Sequence, residues 1–181
     1  MDFAVRTFSV LLIISATISC GVIETEEVPK ADLEEVALQI IHGGTFQYSE
    51  KGDVRNVLKA GRLERWKDDG IVNEVWRVSK GFTLYIEGDS INHEAVLSGG
   101  RGTYDADMGH LIAHDDVVLI NNEGEKLQTE YLVWSNDSDR VYTNRPVRIE
   151  TLTGTLEGKG LESDSKFENY RILNPTGAFE L

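Results

Sequence analysis

From about Val36 onward the sequence predicts an all-β domain, and three observations predict it. Turn-forming clusters (HGG, EKGD, KDDG, EGDS, SGGRG, NNEG, NDSD, TG, EGKG, ESDS) recur at spacings of about ten residues, which leaves room for strands between them. Between the clusters apolar and polar residues alternate, the period of two that turns one strand face toward a core. Seventeen glycines against three prolines suit sheets joined by tight turns. No helix of any length is expected beyond Val36.

The chain ahead of that domain reads differently. Phe8 to Ile18 is an apolar run, roughly half of the ~20 residues a helix needs to cross a bilayer. Arg6 precedes it, and the small residues Ser15, Ala16, Thr17 and Ser19 lead to Cys20, the layout of a secretory signal. Thr17-Ile18-Ser19-Cys20 resembles a bacterial lipobox, in which a peptidase cuts before the cysteine and the sulfur carries a diacylglycerol. It departs from the usual form at Thr17, where leucine is common, and Asp2 offsets Arg6. Residues 1–19 are therefore expected to be a lipoprotein signal peptide, with Cys20 lipidated as the first mature residue. An ordinary cleaved signal and an uncleaved anchor are the alternatives. Residues 20–35 (CGVIETEEVPKADLEE) are acidic, contain Pro29 and hold no sustained period, so they read as a tether with at most a helical turn near Asp32 to Glu35.

The strands follow in order. Phe82, Leu84 and Ile86 share a face opposite Thr83, Tyr85 and Glu87, and Ile91, His93, Ala95 and Leu97 repeat the pattern. Leu127 and Thr129 lie opposite Lys126, Gln128 and Glu130. There the parity breaks, because Leu132 and Trp134 are the next large apolar pair. A β-bulge near Glu130 and Tyr131 returns them to the inner face; the alternative keeps Tyr131 and Val133 inside and exposes Trp134. Val141 and Thr143, then Val147 and Ile149, continue the alternation, with Pro146 expected at a strand start or on an edge strand.

Composition narrows the functions. One cysteine cannot form an internal disulfide, so stability has to come from a core, and the roughly 160 residues after the signal suffice for one domain. Thirty-one acidic against 18 basic residues, a net charge of −13, argue against nucleic acid and anionic membrane surfaces as direct partners. His110, His114, Asp115 and Asp116 are metal-ligand types. On a helix the two histidines would share a face and a zinc ion, but on a strand they stand ~13 Å apart, too far for bonds of about 2 Å. The alternating context favours the strand, with Asp115-Asp116 as a turn or bulge. His42 and His93 are isolated, and no nucleophile elbow, Ser-His-Asp order or phosphate loop is present. No cofactor is expected and nothing demands an enzyme; a hydrolase using His110 or His114 with Asp115 is the remote reading.

The run from Gly102 to Ile172 carries GEKLQTEYLVW, VYTNRPVRI and LEGKGLESDSKFENY, preceded by SKGFTLYIEGD. In order and spacing these motifs closely resemble the LptC family of lipopolysaccharide export proteins, in the lipoprotein form found in Bacteroidota. The chain departs from the family at His114-Asp115-Asp116, where many members have a glycine before the strand with Val117 and Val118.

The resemblance implies an open, curved antiparallel β-jelly-roll over residues 36–175, followed by a C-terminal tail, residues 176–181. It implies an apolar groove that takes lipopolysaccharide acyl chains from an LptBFG-like inner-membrane ABC transporter and passes them to an LptA-like periplasmic bridge protein. The anchor on Cys20 would hold the protein in the periplasm at the inner membrane. Edge strands would dock onto similar folds, Val36 to Ile41 on the transporter side and Phe167 to Leu173 on the bridge side. The inward positions Phe82, Leu84, Ile86, Ala95, Leu97, Leu111, Val117, Leu119, Leu127, Thr129, Leu132, Val141, Val147 and Ile149 are the expected groove lining. Alternation equally marks a filled sandwich core, which would make the chain a structural, protein-binding envelope lipoprotein instead.

Overall fold

A computed structural model of the chain describes residues 37–67, 74–105 and 108–176. The signal, Cys20 and the tether lie outside the described residues. Ten antiparallel strands form one sheet: β1 Gln39–Glu50, β2 Asp53–Lys67, β3 Glu74–Ile86, β4 Ala95–Gly99, β5 Arg101–Asp105, β6 His110–Asn121, β7 Lys126–Ser135, β8 Arg140–Thr151, β9 Gly154–Asp164 and β10 Tyr170–Thr176. The order is β1-β2-β3-β4-β6-β7-β8-β9-β10, with β5 also lying between β3 and β6. β4 and β5 are thus one rank interrupted at Gly100, whose N–H donates to the carbonyls of His114 (3.1 Å) and Asp115 (2.8 Å). Each rank pairs with its neighbour in sequence, as short turns require.

A single crease crosses the ranks. Register shifts fall between Ala60 and Arg62 in β2, His114 and Val117 in β6, Gln128 and Val133 in β7, and Thr143 and Pro146 in β8. Left-handed residues mark the same line: Gly43, Lys80, Gly81, Asp115, Asp116 and Gly160. Aligned bulges bend neighbouring strands together. The sheet is therefore folded into two leaves: leaf A holds residues 53–60, 82–86, 117–121, 126–129 and 146–151, and leaf B holds 62–67, 74–79, 110–114, 131–135 and 140–143. Gly61 is required at the fold line because a methyl there would lie 2.3 Å from the Lys80 carbonyl oxygen.

The bulge expected near Glu130 and Tyr131 is present. Thr129, Leu132 and Trp134 are all buried, and Glu130 is exposed. Asp115 and Asp116 form the bulge on the neighbouring strand, with φ of 64° and 50°. The Arg101 guanidinium grips Asp115, with Nη2 donating to Oδ1 at 2.9 Å, and holds that carboxyl below its ordinary range.

Three expectations need correction. Ile91 and His93 do not extend β4: Ile91 is 82% exposed in a loop whose turn is made by Asp89, its Oδ1 accepting from the N–H groups of Ile91 (2.7 Å) and Asn92 (2.8 Å). A side chain that satisfies the backbone locally removes the residues from the ladder. Pro146 is neither a strand start nor on an edge; it sits inside central strand β8, where the bulge tolerates its missing N–H. Phe167, with φ of 59°, belongs to the β9–β10 turn, so the last strand begins at Tyr170.

Asp116 is exposed and left-handed, a conformation that costs a side-chain-bearing residue about 1 kcal/mol. Asp116→Gly should therefore raise stability by about 1 kcal/mol in urea denaturation. Asp115→Gly should give less, because the ion pair with Arg101 is lost with it.

Candidate functional site

Register places the inward side chains in continuous cross-strand rows. On leaf A the row is Phe46, Leu58, Leu84, Leu97, Leu119, Leu127, Ile149 and Leu156, each opposite the next. On leaf B it is Arg65, Trp76, Tyr104, Leu111, Trp134, Val141 and Ser163. A second leaf B row nearer the crease runs Ile41, Leu63, Val78, Gly102, Ala113 and Leu132. The small residues there admit the Phe82 ring, which approaches within 3.4 Å of where a Gly102 Cβ would stand.

Packing is graded along these rows. Leu97, Leu119, Leu127, Val141, Ile149 and Leu161 are fully buried, whereas Phe46, Leu58 and Trp76 at the β1–β3 end are only partly so. At the far end Phe167, also fully buried, closes the interior, stacked on Tyr170 with ring centroids 4.7 Å apart. Asn121 holds that plug: its Nδ2 donates to the Phe167 carbonyl (3.0 Å), while its Oδ1 accepts from the N–H groups of Glu123 and Glu125.

Among the described residues the β1–β3 end has no such plug. A cavity of about 460 Å³ lies there between Phe46, Leu58 and Leu84 of leaf A and Leu63, Trp76, Tyr104, Leu111 and Trp134 of leaf B. Its rim is polar: Gln47, Tyr48, Asn56, Gly109, Asn136 and Asp137. Asn56 Nδ2 donates across the leaves to Asn136 Oδ1 at 3.4 Å, and Asn56 Oδ1 accepts from the Glu87 N–H. Trp134 Nε1 is buried with no hydrogen-bond partner among the described residues. Burial, and next Asp137, push the Tyr104 hydroxyl up from its usual value, so it remains a donor. Two further hollows lie along the crease, one where Val117, Pro146 and Val147 are mixed with Asp116, Gln128, Glu130 and Arg148, the other walled largely by glycines; a third gathers Glu123, Glu125, Glu162 and Glu168 around Tyr170. None offers an apolar wall comparable with the first.

All fourteen expected lining residues are buried. Only Leu84 and Leu111 border the cavity; Leu97, Leu119, Leu127, Leu132, Val141 and Ile149 pack in the filled part. Thr129 has a structural task, its hydroxyl donating to the Pro146 carbonyl that the bulge leaves free (2.8 Å). Phe46, Leu58, Leu63, Trp76 and Tyr104 line the cavity without having been expected to, and Trp134 was expected inside but not as lining. The alternation of Phe46, Leu58 and Leu63 was present in TFQY and NVLKAGRLE, masked by the parity change at Gly61. His114 and His110 alternate with the inward Leu111 and Ala113, and the His114 ring meets Tyr131 edge-on at 5.1 Å. Among the described residues no group of three or more His, Cys, Asp or Glu is placed to hold a metal ion, and no helix is long and apolar enough to cross a membrane.

A family model described as "LptC: Lipopolysaccharide-assembly, LptC-related" matches residues 9–178, which is 170 of the 181 residues. No curated protein matches the chain.

The packing gradient has a measurable consequence. Leu119→Ala, in the filled part, should cost about 3 kcal/mol in urea denaturation, as core leucine truncations do. Leu58→Ala, on the cavity wall, should cost about 1 kcal/mol, because water and empty space already border it.

Proposed function

The chain belongs to the LptC-related family of lipopolysaccharide assembly, and from that premise we propose that it carries lipopolysaccharide acyl chains between its two leaves. The family is one of transport components of the cell envelope, not of enzymes. The observation that carries the finer reading is the apolar cavity at the β1–β3 end, open between partly exposed Phe46, Leu58 and Trp76. Each methylene left in water costs about 0.8 kcal/mol, so acyl chains need such shelter to cross an aqueous space. The acidic exterior leaves the headgroup outside.

In this reading the lipid comes from an inner-membrane ABC transporter and leaves to a periplasmic bridge of similar fold. Among the described residues both sheet edges are left for strand addition: β1 pairs with β2 alone and β10 with β9 alone. The start of β1 is the proposed transporter edge and β10 the bridge edge. Residues 1–19 are a signal peptide, Cys20 carries the lipid anchor, and residues 20–35 tether the β-domain, residues 36–175, to the inner membrane. The chain then needs no spanning helix to stay beside the transporter.

A second reading has its own observation. The β4–β9 part of the interior is filled with fully buried side chains, as in a sandwich that binds only protein.

Two experiments separate these readings. Photo-crosslinkers at Leu58 and Leu84 should capture lipopolysaccharide in cells while one at exposed Glu130 does not, and depletion of the protein should stall newly made lipopolysaccharide at the inner membrane. Equal capture at all three sites would leave the filled-core reading in place. Radiolabelled palmitate should enter the wild-type protein and not Cys20→Ser; absence of label from the wild type would remove the anchor.

A further inference from the structure

The rim of the cavity is chemically one-sided. Among the described lining residues the charged one is Asp137. Asp137 is held in place. Its carboxylate packs on Gly109, where a Cβ would come within 2.6 Å of Oδ1, and the neighbouring Asn136 N–H donates to the Gly109 carbonyl at 2.9 Å. Gly109 is left-handed, with φ of 58°, and any side chain there would collide with this carboxylate. Arg65 does not line the cavity; it lies over the Trp76 ring at 5.8 Å.

The remaining polar groups are neutral. Asn56 and Asn136 supply amides, Tyr104 a hydroxyl donor, and Trp134 a buried indole N–H that has no acceptor among the described residues. A buried donor without an acceptor is unfavourable by about as much as a lost hydrogen bond. A ligand that fills the cavity and brings a carbonyl or hydroxyl oxygen to Trp134 removes that cost. Acyl esters and amides carry such an oxygen at the junction of chain and sugar.

Resting on the acyl-chain reading above, we infer that this rim selects the headgroup of the glycolipid. It receives the acyl-linkage oxygen and the sugar hydroxyls through Trp134, Asn56, Asn136 and Tyr104, and Asp137 disfavours a phosphate at the sugar position that faces it. A phosphate monoester is close to doubly charged, and within several ångströms of an exposed carboxylate at low salt the repulsion reaches about tenfold in affinity. Because Asp137 is exposed, added salt screens the effect.

The test uses the full-length chain in detergent with two probes, bisphosphorylated lipid A and its monophosphorylated counterpart with the same acyl chains. Binding is read from fluorescence of Trp76 and Trp134. The wild type should bind the monophosphorylated probe about tenfold more tightly. Asp137→Asn should bring the two affinities within about twofold, and Asp137→Lys should reverse the preference, each with an unchanged circular dichroism spectrum. Trp134→Phe should weaken both probes together, about two- to tenfold. Equal wild-type binding of the two probes would overturn the inference while leaving the cavity reading intact. Discrimination that persists in Asp137→Asn would overturn the role of Asp137. Failure of both probes to bind the wild type would overturn the cavity reading, and the inference with it.

Discussion

The aligned bulges at the crease are the constraint on which the rest of the structure depends. A ten-stranded meander with each rank beside its sequence neighbour would otherwise be an open sheet with one apolar face in water. The fold line turns that face on itself. It also explains residues that look anomalous in isolation: left-handed Asp115 and Asp116, Pro146 inside a central strand, Thr129 in an apolar row. Each supplies or repairs a place where the ladder is interrupted, and the Gly100 N–H shared between two carbonyls does the same for the β4–β5 rank.

Once the sheet is folded, register alone builds the interior. Opposed rows of leucine on leaf A and aromatic residues on leaf B meet across the crease, and what differs along them is whether a third element comes between. At the β9–β10 turn Phe167 does, with Asn121 fixing its carbonyl. At β1–β3 nothing among the described residues plays that part, and the hollow remains. The same chain therefore has the solid core that an autonomous domain needs and an apolar recess at one end.

The all-β class and most inward positions were legible because alternation is a local property: Phe82, Leu84 and Ile86, or Leu127 and Thr129, declare their face within a few residues. Even the bulge at Glu130 could be read, since Leu132 and Trp134 are too large and apolar to sit outside. What failed was set by side-chain chemistry that competes with the ladder, as at Asp89, or by tertiary context, as at Pro146. The cavity itself was illegible. Its walls come from β1, β2, β3, β5, β6 and β7, and the parity change at Gly61 hid the strands nearest the hollow. The fourteen residues expected to line a groove are all buried, but alternation does not distinguish the solid part of the interior from the hollow part.

On the proposed reading that distinction decides where ligand would enter. Parting the leaves at the filled end would expose Leu97, Leu119, Leu127 and Ile149, each worth about 1.5–3 kcal/mol when buried. The sum, on the order of 10 kcal/mol, is comparable with the whole stability of a typical domain. At the β1–β3 end the walls are already partly exposed, and the leaves are joined across the rim by the Asn56–Asn136 hydrogen bond, worth about 1 kcal/mol net. On the proposed acyl-chain reading, a small displacement of β1 and β2 would admit a chain there without disturbing the core. Entry and exit would then share the end at which β1 has no second strand beside it among the described residues, and affinity and release would both be set by a wall that is apolar, shallow and lightly latched.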